Sequence, residues 1–325
     1  MRNKVILYIT ILGLWSIANA SITKEIPTLF PVKQNDKYGY IDNSGRLIIK
    51  PKFDNAWDFS DGFAAVCIDD KWGYIDKTGK YIISPQYDWA EDFSEGLAKV
   101  TAGDKTYYID RANKVVFKSQ FSGSGYFHEA LAWVNIGDDY GYIDTKGKKV
   151  IKAKYEWTGD FVEWLGVVRI KEQYGYINRN GDYVIDPQYD NADNFSEDLA
   201  AVKSGEKYGY INKKGNIVIK FQFNDAGKFI SGLAKVKVND WWGFIDKNGE
   251  YVINPQFSWV DDFSEGYAVA KIGDKYGYID IHGKNVINPR FDNATGFIGG
   301  VAKVEINKKW GYIDKTGKFI WEPTQ

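Results

Sequence analysis

The chain of 325 residues has one cysteine, one methionine and two histidines. A lone cysteine, Cys67, excludes any disulfide within the chain. In the run Ala64-Ala65-Val66-Cys67-Ile68 it reads as a small core residue, not a nucleophile. His128 and His282 stand far apart with no ligand-type neighbours, too few for the three or four convergent ligands of a metal site. Charge of one sign is also missing. Past residue 20 there are 40 basic and 43 acidic side chains, so no basic footprint exists for nucleic acid or an anionic membrane surface. Beyond Ala20 no uncharged apolar run approaches the ~20 residues of a membrane helix, and no stable membrane insertion is expected there. A G-x-S-x-G elbow, a P-loop and a dinucleotide-binding glycine pattern are all absent. No catalytic residue and no cofactor are assigned.

What is present falls into two parts. Arg2 and Lys4, an apolar run from Val5 to Ile17, and the small-x-small ending Ala18-Asn19-Ala20 form the pattern of a secretory signal peptide over residues 1–20. That pattern predicts an exported chain, periplasmic or extracellular. No cysteine follows the small residues, which excludes lipid attachment there. Residues 21–325 carry an aromatic load of 17% for the chain as a whole, which excludes disorder.

The second part is periodic. KWGYIDKTGK at 71–80 returns letter for letter at 309–318, a separation of seven times 34. Gly39, Gly73, Gly141, Gly175, Gly209, Gly243, Gly277 and Gly311 recur at 34 or 68 residues, and the one gap falls on Tyr107. Nine units result, starting near 37, 71, 105, 139, 173, 207, 241, 275 and 309. An aromatic precedes the marker in every unit but the third, which has Thr106, and Ile follows two residues after it throughout. Phe59, Phe93, Phe127, Phe161, Phe195, Phe229, Phe263 and Phe297 recur in the same register. This pattern resembles the WG-repeat family of bacterial proteins, named for the pair seen here as Trp72-Gly73, Trp242-Gly243 and Trp310-Gly311. The resemblance spans about 28–323, weakens most at KTYYIDRAN in the third unit, and implies a β-rich repeat scaffold with no defined reaction.

Within a unit, GYID opens an apolar–polar alternation, D-x-x-G makes a turn, and a second run such as KYIIS follows. Asp at the first turn position and Gly at the fourth fit a type I turn closing a hairpin. Pro51, Pro85, Pro187, Pro255, Pro289 and Pro323 are expected to end the second run. A loop of the type D-x-A-x-x-F-S-E-G then leads to a third short run, LAKV or FAAV. Helical repeats of this length need a 3.6-residue period, and here the period is 2. The prediction is an all-β array of three-stranded units, each burying its apolar face against the next. Propeller blades usually have four strands and number four to eight, which favours an open β-solenoid or superhelix over a closed propeller-like ring.

The recurring carboxylates Asp42, Asp76, Asp110, Asp144, Asp246, Asp280 and Asp314, with Asn178 and Asn212 in the same slot, read as turn formers, because every unit demands one. Variation is more informative. The slot sixteen residues after the marker holds Trp89, Trp157 and Trp259 in three units and Asn55, Asn191 and Asn293 in three others, which argues against deep core. Trp133, Trp164 and Trp241 are likewise outside the repeat. Trp89, Trp133, Trp157, Trp164 and Trp259 are therefore the candidate binding residues, suited to stacking on sugar rings or anchoring a peptide. The reading is an exported, non-enzymatic scaffold for an unidentified protein or glycan. The alternative is a carbohydrate-active enzyme or inhibitor with its site in the irregular third and fourth units, using Asp160 and Glu163.

Overall fold

The computed structural model describes residues 28–324; the signal-peptide pattern lies outside them. The described residues form 35 strands in nine antiparallel sheets, one of three strands and eight of four. The first sheet contains β1 (Phe30–Gln34), β2 (Lys37–Ile41) and β3 (Leu47–Phe53). The second contains β4 (Asn55–Ala56), β5 (Phe63–Ile68), β6 (Lys71–Asp76) and β7 (Tyr81–Tyr87), paired in that order. Seven further sheets repeat the second. The unit seen in the sequence is thus out of phase with the blade, since its LAKV run is the second strand of the following sheet.

Two expectations are corrected here. The loop D-x-A is not only a connection: its Asn-Ala or Trp-Ala pair is a two-residue strand, which makes the blades four-stranded. The array is also not an open solenoid but a closed ring of nine blades. Phe30, Val32 and Ile41 of the first blade share one apolar cluster with Val301 and Tyr312 of the last. Phe30 and Tyr312 stand 5.6 Å apart, and the Tyr312 hydroxyl donates to Pro31 O at 2.7 Å.

The turn chemistry is as read. Gly45 N–H donates to Asp42 O at 3.0 Å, and Asp42 Oδ1 accepts from Ser44 N–H and Arg46 N–H, both at 3.0 Å. Asn178 does the same with its amide oxygen, which explains why Asn can replace Asp. Proline does not end the second run. Pro51 and Pro85 lie inside β3 and β7, on the edge strand, at a bulge where the lost N–H costs no ladder bond. Beyond the bulge Phe53 and Tyr87 pair again, with Tyr38 and Trp72.

That bulge also explains the marker glycine. A Cβ on Gly209 would stand 2.6 Å from Ile219 O and 2.9 Å from Phe221 N, both backbone. Tyr107 escapes the clash because the fourth strand of its blade, Val115–Lys118, stops short.

Seams hold the core. Seven of the eight recurring phenylalanines are buried, Phe59 being partly exposed, and each rests on an aromatic of the preceding blade. Tyr40–Phe59, Tyr142–Phe161 and Tyr210–Phe229 lie at 5.0, 4.8 and 4.9 Å. The same tyrosines tie the blades by hydrogen bonds. Tyr40, Tyr176 and Tyr210 donate to Trp57 O, Asp193 O and Gly227 O at 2.7–2.8 Å. A carboxylate latch adds to most seams, Ser231 and Gly299 taking the slot in two of them. Glu197 accepts Gly232 N–H at 3.0 Å and pairs with Lys247 at 3.1 Å; Glu265 does the same with Gly300 N–H and Lys315, both at 3.0 Å.

Candidate functional site

The short strands edge the sheets on the side where successive blades converge: one cavity is lined from three of them at once, by Trp57, by Ala90, Glu91 and Asp92, and by Tyr126. On that edge the variable slot opens a row of side chains across each blade. Trp157 lies 5.9 Å from Tyr174, over which Arg169 is also set at 5.9 Å. Trp259 lies 5.5 Å from Tyr276, with Lys271 at 5.7 Å. Where the slot holds Asn191, its amide donates to the Tyr208 hydroxyl at 3.0 Å. Tryptophan and asparagine are interchangeable because the slot is only partly covered and either can close on the same tyrosine.

Trp89 breaks this rule for a local reason. Its own blade has Thr106 in place of the aromatic, so Trp89 leans back on the preceding blade. It lies 5.3 Å from Trp72 and 6.1 Å from Trp57, and those two are stacked at 5.6 Å with 10° between planes. Trp72 is buried, whereas Trp57, Trp89 and Tyr126 are exposed at 38, 45 and 44%. These three rings, with Ala90, Glu91 and Asp92, border a cavity of about 340 Å3.

The two carboxylates there differ. Glu91 pairs with Lys99 at 2.7 Å, and its backbone carbonyl is held by the Tyr74 hydroxyl at 2.6 Å. Asp92 Oδ1 is buried and accepts no hydrogen bond among the described residues. Burial, with like charge from Asp58 and Glu91, pushes its carboxyl up to about 6. Flat apolar faces beside an unsatisfied acceptor can hold an amphipathic ligand by stacking and hydrogen bonding.

The other sequence candidates do not join this cluster. Trp157 (39% exposed) and Trp259 (37%) sit on the same edge in the fifth and eighth blades. Trp133, half-buried, covers Gly125 and lies 5.8 Å from Tyr140, which makes it packing for the fourth blade. Trp164 lies on the opposite rim, 65% exposed, with φ of 72° and Arg179 at 5.6 Å from its ring. Glu163 is a seam latch: it accepts Glu197 N–H at 2.6 Å and Asp198 N–H at 3.0 Å and pairs with Lys213 at 3.0 Å. Asp160 lies 3.6 Å from His128 Nε2. Cys67 is buried, and no group of His, Cys, Asp and Glu among the described residues is arranged to hold a metal ion. No helix among them is long and apolar enough to cross a membrane.

Sequence reasoning missed Trp57 and Asp92. Trp57 occupies a slot without repetition, and the available signal was indirect, in that Thr106 deprives Trp89 of its regular partner.

Fold and seams define a nine-bladed β-propeller. The sequence profile of the WG containing repeat matches nine times, at 38–72, 72–105, 108–138, 140–172, 174–208, 208–240, 242–276, 276–310 and 310–324, and the chain belongs to that family. Among solved structures, one described as a eukaryotic initiation factor is similar with TM-score 0.66 and 13% identity, over 92% of this chain and 96% of that one. Dihydro-heme d1 dehydrogenase NirN in complex with DHE gives 0.47 and 12%, over 79% and 70%. Kluyveromyces lactis Hsv2p gives 0.42 and 10%, over 68% and 90%. The first similarity supports the propeller fold alone, and the other two are too distant to add to it. No curated protein sequence matches the chain.

Proposed function

We propose that this chain is an exported, non-enzymatic propeller scaffold that binds a protein or glycan partner at or outside the cell envelope. Export rests on the leader pattern at residues 1–20. The observation that carries the binding reading is the convergence of Trp57, Trp89 and Tyr126 from three consecutive blades around the Asp92 carboxylate. A sugar ring offers what that site lacks, an apolar face for the indoles and hydroxyl donors for the carboxylate, so a glycan is the favoured occupant. The repeat itself accounts for Glu163, since Glu197 and Glu265 make the same latch in other blades. An acid that recurs in most seams does not mark a hydrolytic pair.

A glycan array and a pull-down from envelope extracts, run with the protein lacking residues 1–20, test the proposal. Trp57→Ala and Trp89→Ala should each weaken binding by roughly thirtyfold, the loss of one anchoring residue worth ~2 kcal/mol. Capture of a protein in place of a glycan, with the same dependence on both tryptophans, would reassign the ligand class. Absence of any binding, or binding indifferent to both substitutions, would overturn the site.

A further inference from the structure

The cavity between the second, third and fourth blades has two walls held in place and one charge without a counter-ion. Trp57 is stacked on the buried Trp72, and its own N–H bonds Ala65 O at 2.9 Å. Trp89 meets it at 69°, so the two indoles form a corner, which Tyr126 borders from the blade beyond. A cavity of about 150 Å3 already admits a benzene ring, so the 340 Å3 here holds a six-membered ring with its substituents. Charge in this corner is unequal. Glu91 is neutralised by Lys99 at 2.7 Å, and that ammonium is also engaged by Ser124 O at 3.4 Å. Asp92, partly exposed in the cavity wall, has like charges acting on it from Asp58 and Glu91, and its Oδ1 has no partner among the described residues. Lys303 offsets Asp58, which leaves Asp92 as the uncompensated carboxylate.

Resting on the glycan reading above, we infer that the ligand is an amino sugar with a free, protonated amine, its pyranose ring against Trp57 and Trp89 and its ammonium on the Asp92 carboxylate. A hydroxyl gives such a carboxylate a hydrogen bond and leaves its charge standing. An ammonium supplies both, through charge-assisted bonds about twice as strong as neutral ones. The indoles act in the same sense, since tryptophan is the best aromatic partner for a cation. Shape and charge together narrow the class. An alkyl ammonium without a ring would meet the acid and leave the indole corner wet. An N-acetylated sugar would fill the corner and set an uncharged amide, with a single donor, against the carboxylate.

Calorimetry with the protein lacking residues 1–20, at pH 6 where the amines are protonated, compares three probes. These are a glucosamine tetramer, its fully N-acetylated counterpart, and tetralysine, which has four ammoniums and no ring. The glucosamine tetramer should bind roughly tenfold or more tighter than either of the others. Asp92→Asn should bring the two sugar tetramers to within about twofold of each other, and Trp57→Ala should weaken the glucosamine tetramer by roughly thirtyfold. Both effects are read as ratios on folded protein, so a change in stability does not imitate them. Equal affinity for the two sugars, lost in Trp57→Ala, would overturn the amine and leave the glycan reading standing. Tetralysine bound as tightly as the glucosamine tetramer would overturn the sugar and with it that reading. A preference for the amine that survives Asp92→Asn, or binding of neither tetramer, would also overturn the inference.

Discussion

Asp92→Asn should make the protein more stable at pH 8 and leave it unchanged at pH 4. In the folded chain the carboxyl is pushed up to about 6 by burial and by Asp58 and Glu91, while an unfolded aspartate titrates near 3.9. A raised carboxyl favours the protonated form in the folded state. Stability is therefore lost as pH rises between about 4 and about 6, and the loss is complete above about 7. Two units correspond to ~3 kcal/mol at most, and water reaching this partly exposed side chain screens that to about 1 kcal/mol. Asparagine has nearly the same shape and no charge, so it removes the cost. Urea unfolding at pH 4, 6 and 8 would read the difference, and for a chain of this size 1 kcal/mol is about 2 °C in melting temperature. A constant difference across the three pH values would refute the electrostatic reasoning. If the variant also loses ligand, the charge is retained for binding at the expense of stability.

Gly209→Ala places a Cβ against Ile219 O and Phe221 N, backbone atoms that cannot rotate away, and should destabilise by about 1–3 kcal/mol or more in a thermal melt. Tyr107→Gly, in the blade whose fourth strand stops short, should show no comparable gain from removing a clash. Glu197→Ala breaks one seam latch. Burial pushes the Glu197 carboxyl up, but hydrogen bonds from Lys247 and from Gly232 N–H outweigh it and hold the group below the usual range. The latch should then contribute about 1 kcal/mol at pH 7. That contribution is present above the ordinary glutamate range and lost as pH falls through the depressed folded value, so wild type and variant should converge in acid below that value.

Much of this architecture could be read from the residues, and the failures have physical causes. The period, the hairpin and the D-x-x-G turn were legible because Asp42, Gly45 and their equivalents act within five residues of chain. The phenylalanine stripe was legible because burial recurs with every unit. The two-residue strand was not, since Asn55-Ala56 is too short to show any alternation. Closure was hidden for a related reason: without that strand the blades count three strands, and nothing in a local pattern reports the angle at a seam. At the candidate site, the exposure of Trp89, Trp157 and Trp259 followed from the Trp/Asn exchange. Their partners did not, because Trp57 and Asp92 come from neighbouring blades and owe their position to the ring. Trp133 looked like Trp164 in sequence and differs because Gly123 and Gly125 leave a hollow for it.

The seam between the last blade and the first differs from the other eight in chain separation. Ser60 and Phe93 join across an ordinary seam at 33 residues, whereas Tyr312 and Pro31 join at 281. About three doublings of loop length raise the entropy of closure by ~2 kcal/mol. Eight seams can therefore form as the chain condenses along its length, and the ninth waits for the ends to meet. A ring of near-equal blades thus has one seam that closeness along the chain does not help to form.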